Sequence, residues 1–185
     1  MTPGAPVRNT DGSTTYTGPD GRTSVVKGAI QAAYDAAGAG RSRLGLPDGD
    51  EFPVRDGGRV QRFDRGLVYW TPATGAHVVE GAIRELYAAR GWENSPLGYP
   101  TSDEIRLRDG GVVQRYQGAL VYWTPGTGAQ DVKGAIGERY ATLGWENSPL
   151  GYPRSGEYAV PGGVRQDYQR GSMTYEWATR RVTLS

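Results

Sequence analysis

Cysteine is absent from the 185 residues. The chain therefore has no disulfide, no thiolate nucleophile and no cysteine metal site, and its redox compartment stays open. Histidine occurs once, as His77, which excludes a histidine-rich metal cluster and leaves a single imidazole base. Lysine is confined to Lys27 and Lys133, and phenylalanine to Phe52 and Phe63. Neither sign of charge is in excess, since 21 basic residues face 20 acidic ones for a net charge of +1. Nucleic-acid binding rests on a clear basic surplus, so no such partner is expected. No apolar run approaches the roughly 20 residues that span a bilayer, so no membrane insertion is expected. Residues 1–6 lack the charged start and apolar stretch of a signal peptide. An exported form would have its leader upstream of this sequence or already removed.

What the chain does have is glycine (29 residues), tyrosine (12) and tryptophan (5). Tyrosine and tryptophan join an apolar body to a polar handle, which suits binding surfaces as well as cores. A chain of this length can bury roughly 70% of the surface its unfolded form exposes, so a sizeable core is possible.

An internal repeat organises everything else. Gly28-Ala29-Ile30 returns as Gly81-Ala82-Ile83 and Gly134-Ala135-Ile136, a spacing of 53 residues each time. Leu44-Gly45-Leu46-Pro47 returns in step as Leu97-Gly98-Tyr99-Pro100 and Leu150-Gly151-Tyr152-Pro153, and Tyr34, Tyr87 and Tyr140 keep the same register. The segments 91–100 and 144–153 are identical. After Glu157 one residue drops out, so Gly57-Gly58 and Gly110-Gly111 are followed by Gly162-Gly163.

Residues 25–38 carry apolar side chains at helical spacing and end at Gly38, which suits a left-handed helix terminus. The Leu-Gly-x-Pro turn follows, and its proline bars further helix. Runs such as 112–116 and 119–123, separated by a short turn, predict a β-hairpin. Thr124-Pro125-Gly126-Thr127-Gly128 then closes the unit and leads to the next helix. The fold class is therefore α+β, with tandem repeats of about 53 residues, each a helix followed by a hairpin. Residues 7–24 read as the hairpin and linker of a partial unit, followed by units at 25–77, 78–130 and 131–185 within one repeat domain. Neighbouring units must cover each other's helix faces. The pattern leaves open whether they stack in line or close around a pseudo-symmetry axis.

Leu-Gly-Tyr-Pro, the stretch 69–77 and the Gly-Ala-Ile helix together resemble the LGFP repeat family, over residues 12 to about 177. The resemblance implies a secreted, cell-wall-associated actinobacterial protein. It also implies a repeat module that tethers a companion enzyme domain to wall polysaccharide, arabinogalactan above all. Two copies depart from the pattern. Residues 39–43 replace the Trp92-Glu93-Asn94-Ser95-Pro96 loop in the first unit, and Ser172-Met173-Thr174-Tyr175 stands where Leu67-Val68-Tyr69-Trp70 stood.

Catalysis finds little support in the residues. Nucleophilic chemistry needs a base beside the nucleophile, yet the place of His77 is taken by Ser24 and Gln130 in the other units, which reads as a helix N-cap position. Glu51, Glu104 and Glu157, with Asp50 and Asp103, are the carboxylates a glycosidase would need. They recur one per unit, which reads better as a turn interaction with the Leu-Gly-x-Pro loop. Asp48-Gly49-Asp50-Glu51 is acidic, but no copy has calcium-loop spacing. No cofactor, no metal and no enzymatic activity are expected.

Sugar binding asks for an aromatic plate against the ring and amide, carboxylate or guanidinium groups at its hydroxyl rim. Trp92, Glu93 and Asn94 supply that set, and Trp145, Glu146 and Asn147 supply it again. The alternative is that each tryptophan staples the helix end to its own unit. Strand alternation means Tyr69 and Trp70 cannot both be core, nor can Tyr122 and Trp123. Gln61 and Gln114 sit on a strand face that, if polar and open, would also meet a ligand. Two functions follow: a non-catalytic carbohydrate-binding module, or a scaffold whose aromatics bind a protein partner.

Overall fold

The computed structural model describes residues 4–185, which form two compact units. The first runs to Ala88 and takes in Tyr99–Asp103; the second comprises Ala89–Gly98 and Glu104–Ser185.

In the first unit, β1 (Val7–Arg8), β2 (Thr14–Thr17) and β3 (Thr23–Val26) make an antiparallel sheet. After α1 (Gly28–Ala36) come β4 (Phe52–Pro53), β5 (Arg59–Phe63), β6 (Gly66–Thr71) and β7 (Gly75–Glu80), a four-stranded antiparallel meander, and then α2 (Gly81–Arg90), whose last two residues are counted with the second unit. The second unit holds the equivalent meander β8 (Ile105–Arg106), β9 (Val112–Arg115), β10 (Ala119–Thr124) and β11 (Gly128–Lys133), followed by α3 (Gly134–Thr142). It ends with β12 (Tyr158–Val160), β13 (Gly163–Tyr168), β14 (Gly171–Glu176) and β15 (Arg181–Leu184). The described residues thus form an α+β tandem repeat of three α-helices and four antiparallel sheets.

The expected hairpin is the centre of each four-stranded sheet, with Gln61 opposite Val68 and Gln114 opposite Val121. The structure adds a strand on either side. The Thr-Pro-x-Thr-Gly segment does not lead to the helix but reverses the chain into β7 and β11. Thr71 Oγ1 accepts from the Thr74 amide at 2.9 Å, and Gly75 takes a left-handed φ of 82° that lets the turn close. Each helix consequently begins at the glycine of Gly-Ala-Ile, three residues later than the periodicity suggests. Ser24, His77 and Gln130 therefore lie on β3, β7 and β11, which corrects their assignment to a helix N-cap. They serve the strands instead: Ser24 Oγ accepts from the Gly49 amide (3.0 Å), and Gln130 donates to the Thr127 carbonyl (3.1 Å). Residues 7–17 fold as β1, β2 and their turn.

Each helix within a unit is a wedge between two sheets. Ile30 and Tyr34, one turn apart on α1, pack against Tyr16 and Val26 on one side and Phe63 and Val68 on the other. Ile136 and Tyr140 on α3 do the same between Tyr122 and Val132 and the pair Tyr168 and Met173. Burying side chains of this size is worth roughly 1.5–3 kcal/mol each, which a nine-residue helix could not gain alone. The Leu-Gly-Tyr-Pro loop then locks the wedge. Tyr140 donates to the Gly151 carbonyl (2.7 Å), and Tyr152 reaches back to the Arg108 carbonyl (2.7 Å). A Cβ on Gly111 would stand 2.6 Å from that Tyr152 hydroxyl, which accounts for the second glycine of the Gly-Gly pair.

Candidate functional site

Strand alternation sorts the aromatic pairs as the pleat demands. Tyr69 and Tyr122 point into the core, while Trp70 and Trp123 are left half-exposed. The Tyr69 ring meets Tyr87 and Tyr99 edge-on, with centroids 5.6 and 6.0 Å apart. Tyr122 meets Tyr140 and Tyr152 in the same way. Burial pushes the Tyr122 hydroxyl well above the usual phenol range. The charge of Glu146 and the hydrogen bond to it push in the same direction.

Gln61 and Gln114 are fully buried and do not form an open polar face. Gln61 Nε2 donates to the carbonyls of Val25 (3.1 Å) and Gly49 (2.9 Å), tying β5 to β3 and the following loop. Gln166 plays the same part in the last sheet, donating to Asp131 and Ser155 at 2.8 Å each. Backbone carbonyls, not a ligand, are the partners that a buried amide requires.

The Trp-Glu-Asn triplets divide by residue. Gly144 and Trp145 both take left-handed φ values (92° and 57°), and the short 3-10 turn Trp145–Asn147 follows. This backbone turns Glu146 inward, where it hydrogen-bonds the Tyr122 hydroxyl and accepts from Asn147 Nδ2 at 2.9 Å. Arg108 donates to its carbonyl. Trp145 lays its edge on Tyr140 (5.7 Å, 89°) and keeps part of its surface in solvent beside the exposed Asn147. Trp92 and Asn94 are exposed to the same degree, while Glu93 is buried and accepts from Asn94 (2.9 Å). Each tryptophan is thus partly packed and partly exposed. In the first unit Ala39 takes the same left-handed position with no ring to offer.

The recurrent carboxylates are occupied. Asp50 and Asp103 accept from the amides of Val25 (2.7 Å) and Val78 (2.8 Å), fastening the loop after Leu-Gly-x-Pro to β3 and β7. Glu51 stands 3.8 Å from Lys27 and 3.9 Å from Arg59, and Glu157 stands 3.8 Å from Lys133. Burial raises the Glu157 carboxyl, and Lys133 opposes that shift.

Sequence reasoning missed a charged cluster in the second unit. Asp131, fully buried, receives Arg90 Nη2 at 2.6 Å and Lys133 Nζ at 2.6 Å. Burial alone would push its carboxyl up, but hydrogen bonds from Lys133 and Arg90 outweigh it and hold the carboxyl below the usual range. A signal was present. Where the first two repeats have Val25 with Asp50 and Val78 with Asp103, the third has Asp131 with Gly156, so the acid has crossed from loop to strand. Also missed was a cleft of about 670 Å³ in the first unit, between α1, the β1–β2 turn and Trp70. Among the described residues no group of three or more acidic or histidine side chains could hold a metal ion, and no helix is long and apolar enough to cross a membrane.

The family model described as LGFP repeat matches residues 44–95 and 97–148. No curated protein matches the chain. Solved structures similar to it include the extracellular domain of BT4673 from B. thetaiotaomicron, with 13% identity over 99% of this chain and a TM-score of 0.23. The extracellular domain of BT3049 from the same organism shows 11% identity over 96% of this chain at a TM-score of 0.22. This chain spans only 23% and 22% of those two chains. A mutant of the TCP10 domain of Danio rerio CPAP shows 15% identity, with 97% of this chain and 81% of that chain covered, at a TM-score of 0.22.

Proposed function

The chain belongs to the LGFP repeat family, a family of cell-wall-associated repeats, and from that premise we propose that it is a non-catalytic carbohydrate-binding module. Its ligand is wall polysaccharide, arabinogalactan in particular, and its role is to hold a secreted protein, with any enzyme domain joined to it, at the wall. The observation that supports this reading is the repeated half-exposed tryptophan. Trp70 and Trp123 occupy one repeat-equivalent position, and Trp92 and Trp145, each beside an exposed asparagine, occupy another. A half-buried indole is fixed by its own unit and leaves part of its surface for the C–H side of a sugar ring, with Asn94 or Asn147 beside it for the hydroxyls. Several weak contacts of this kind on one chain gain affinity through multivalency. The carboxylates that an acid–base mechanism would require are instead taken up by strand amides and neighbouring cations.

The test is retention of the protein on insoluble actinobacterial walls, intact and after mild acid has removed arabinogalactan. Retention on intact walls only is the expected result, with Trp92→Ala/Trp145→Ala lowering the bound fraction several-fold. Equal retention on both preparations would move the target to peptidoglycan. No retention on either would overturn the wall reading.

A further inference from the structure

The first repeat is the one that lost the Trp-Glu-Asn loop, yet it carries the cleft of about 670 Å³. We infer that this cleft is a second kind of sugar subsite, opened by Gln31 and Ala32, which the other repeats replace, and that its ligand is a neutral oligosaccharide. The inference rests on the carbohydrate-binding reading above and adds to it a place and a ligand charge.

Its volume lies within the roughly 300–1,000 Å³ of small-molecule sites. One wall is Trp70, half-exposed on β6. The facing wall is α1, which lines the cleft with Gly28, Gln31, Ala32 and Asp35, the i, i+3, i+4, i+7 stripe of a helix. Small residues open that stripe. At the place of Ala32 the later helices carry Glu85 and Glu138, and at the place of Gln31 they carry Arg84 and Gly137.

Gln31 is the observation that points to a ligand. It is 4% exposed, its Nε2 donates to Thr14 Oγ1 at 2.6 Å, and its Oε1, itself buried, has no hydrogen-bond partner among the described residues. A buried acceptor left unmatched costs about 1–3 kcal/mol, so a turn of this side chain that brings Oε1 to the cleft, where a sugar hydroxyl can donate to it, is repaid. The start of α1 adds donors of its own, because its N-cap residue Lys27 makes no side-chain cap and first-turn amides have no acceptor within a helix.

Charge sets the ligand class. Arg8, Lys27 and Arg59 are matched in the cleft lining by Asp11, Asp35 and Glu51. Three cations against three carboxylates leave no net field to draw in a phosphate or uronate chain. They do supply bidentate partners for vicinal hydroxyls around an aromatic plate.

The test follows amide and indole chemical shifts of the 185-residue protein on titration with two neutral probes, oligosaccharides from acid-hydrolysed arabinogalactan and maltohexaose, each at 20 mM and 300 mM salt. The expected result is that Gly28 to Gln31 and the Trp70 indole shift with at least one probe, at an affinity that changes less than twofold with salt. Gln31→Leu, which keeps the packing, should weaken that binding about tenfold. Wall retention with no shift at the cleft from either probe would overturn this inference and leave the wall reading standing. Shifts with maltohexaose alone, and no wall retention, would keep the cleft and sink the wall tether. A salt-dependent loss of affinity would overturn the neutral ligand class.

Discussion

Gln61, Gln114 and Gln166 occupy the same point in three sheets and are all fully buried. Each side chain has an amide oxygen to satisfy as well as its N–H groups. In two sheets a tyrosine two residues on provides the donor: Tyr116 to Gln114 Oε1 and Tyr168 to Gln166 Oε1, both at 3.1 Å. In the first full sheet that residue is Phe63, and Gln61 Oε1 is left without a partner among the described residues. Phe63→Tyr should therefore stabilise the protein by about 1 kcal/mol, the net worth of one buried hydrogen bond. Tyr168→Phe should cost a similar amount. Urea midpoints at constant slope would check both; an unchanged or lower midpoint for Phe63→Tyr would show that the hydroxyl has no room beside Tyr34, whose ring centroid is 4.4 Å away. The pairing is readable as Gln-x-Tyr in the sequence, but its direction is not, since only the packed sheet decides that both side chains point inward.

Elements are joined within each unit by loops whose side chains reach back across the chain. Asp50 and Asp103 do this for β3 and β7, and in the third repeat the end of α2 does it through Arg90, which reaches Asp131 on β11. The folded state holds the Asp131 carboxyl below its usual range through Lys133 and Arg90, against the cost of burial. A carboxylate depressed in the folded state stabilises it above the unfolded pKa of about 3.9, and that contribution is lost as pH falls through the lower folded value. Asp131→Asn should lower stability by roughly 1–3 kcal/mol at pH 7 and shrink the difference from wild type as the pH approaches 2. Thermal midpoints across pH 7 to 2 would decide it; a constant difference at every pH would mean that the charge contributes nothing. The helix starts were misread at this scale because the apolar spacing of a strand's last residues, Val25 and Val26, continues that of the helix after it, and Gly28 alone marks the break.

At the scale of the molecule, the core is phenolic. Tyr34, Tyr116, Tyr122, Tyr140 and Tyr168 all have hydroxyls pushed far above the phenol range, burial being the first cause in every case. Their contribution to stability is complete below the unfolded pKa of about 10 and is lost as pH rises toward the folded values. The protein should therefore unfold in alkali as a cooperative step. Absorbance at 295 nm from these tyrosines should rise together with loss of far-ultraviolet circular dichroism, above about pH 10. A gradual rise with native dichroism would mean that the rings ionise in place and are less enclosed than the structure has them.

The sequence by itself determined the repeat, its period, the helix that recurs in each copy, the central hairpin and the family, because these depend on patterns local to one copy and on comparing copies with each other. Tertiary structure decided which chemistry faces water. Glu93 and Glu146, offered by the triplet as rim groups for a sugar, turn inward because the glycine and tryptophan before each glutamate both take left-handed φ values. Gln61 and Gln114 close onto backbone carbonyls and neighbouring side chains, while the tryptophans remain half-exposed. The cleft on α1 was beyond the reach of pattern alone. It arises where Ala32 replaces a glutamate and where a strand residue 38 positions later, Trp70, comes to face the helix, and no periodicity encodes that meeting.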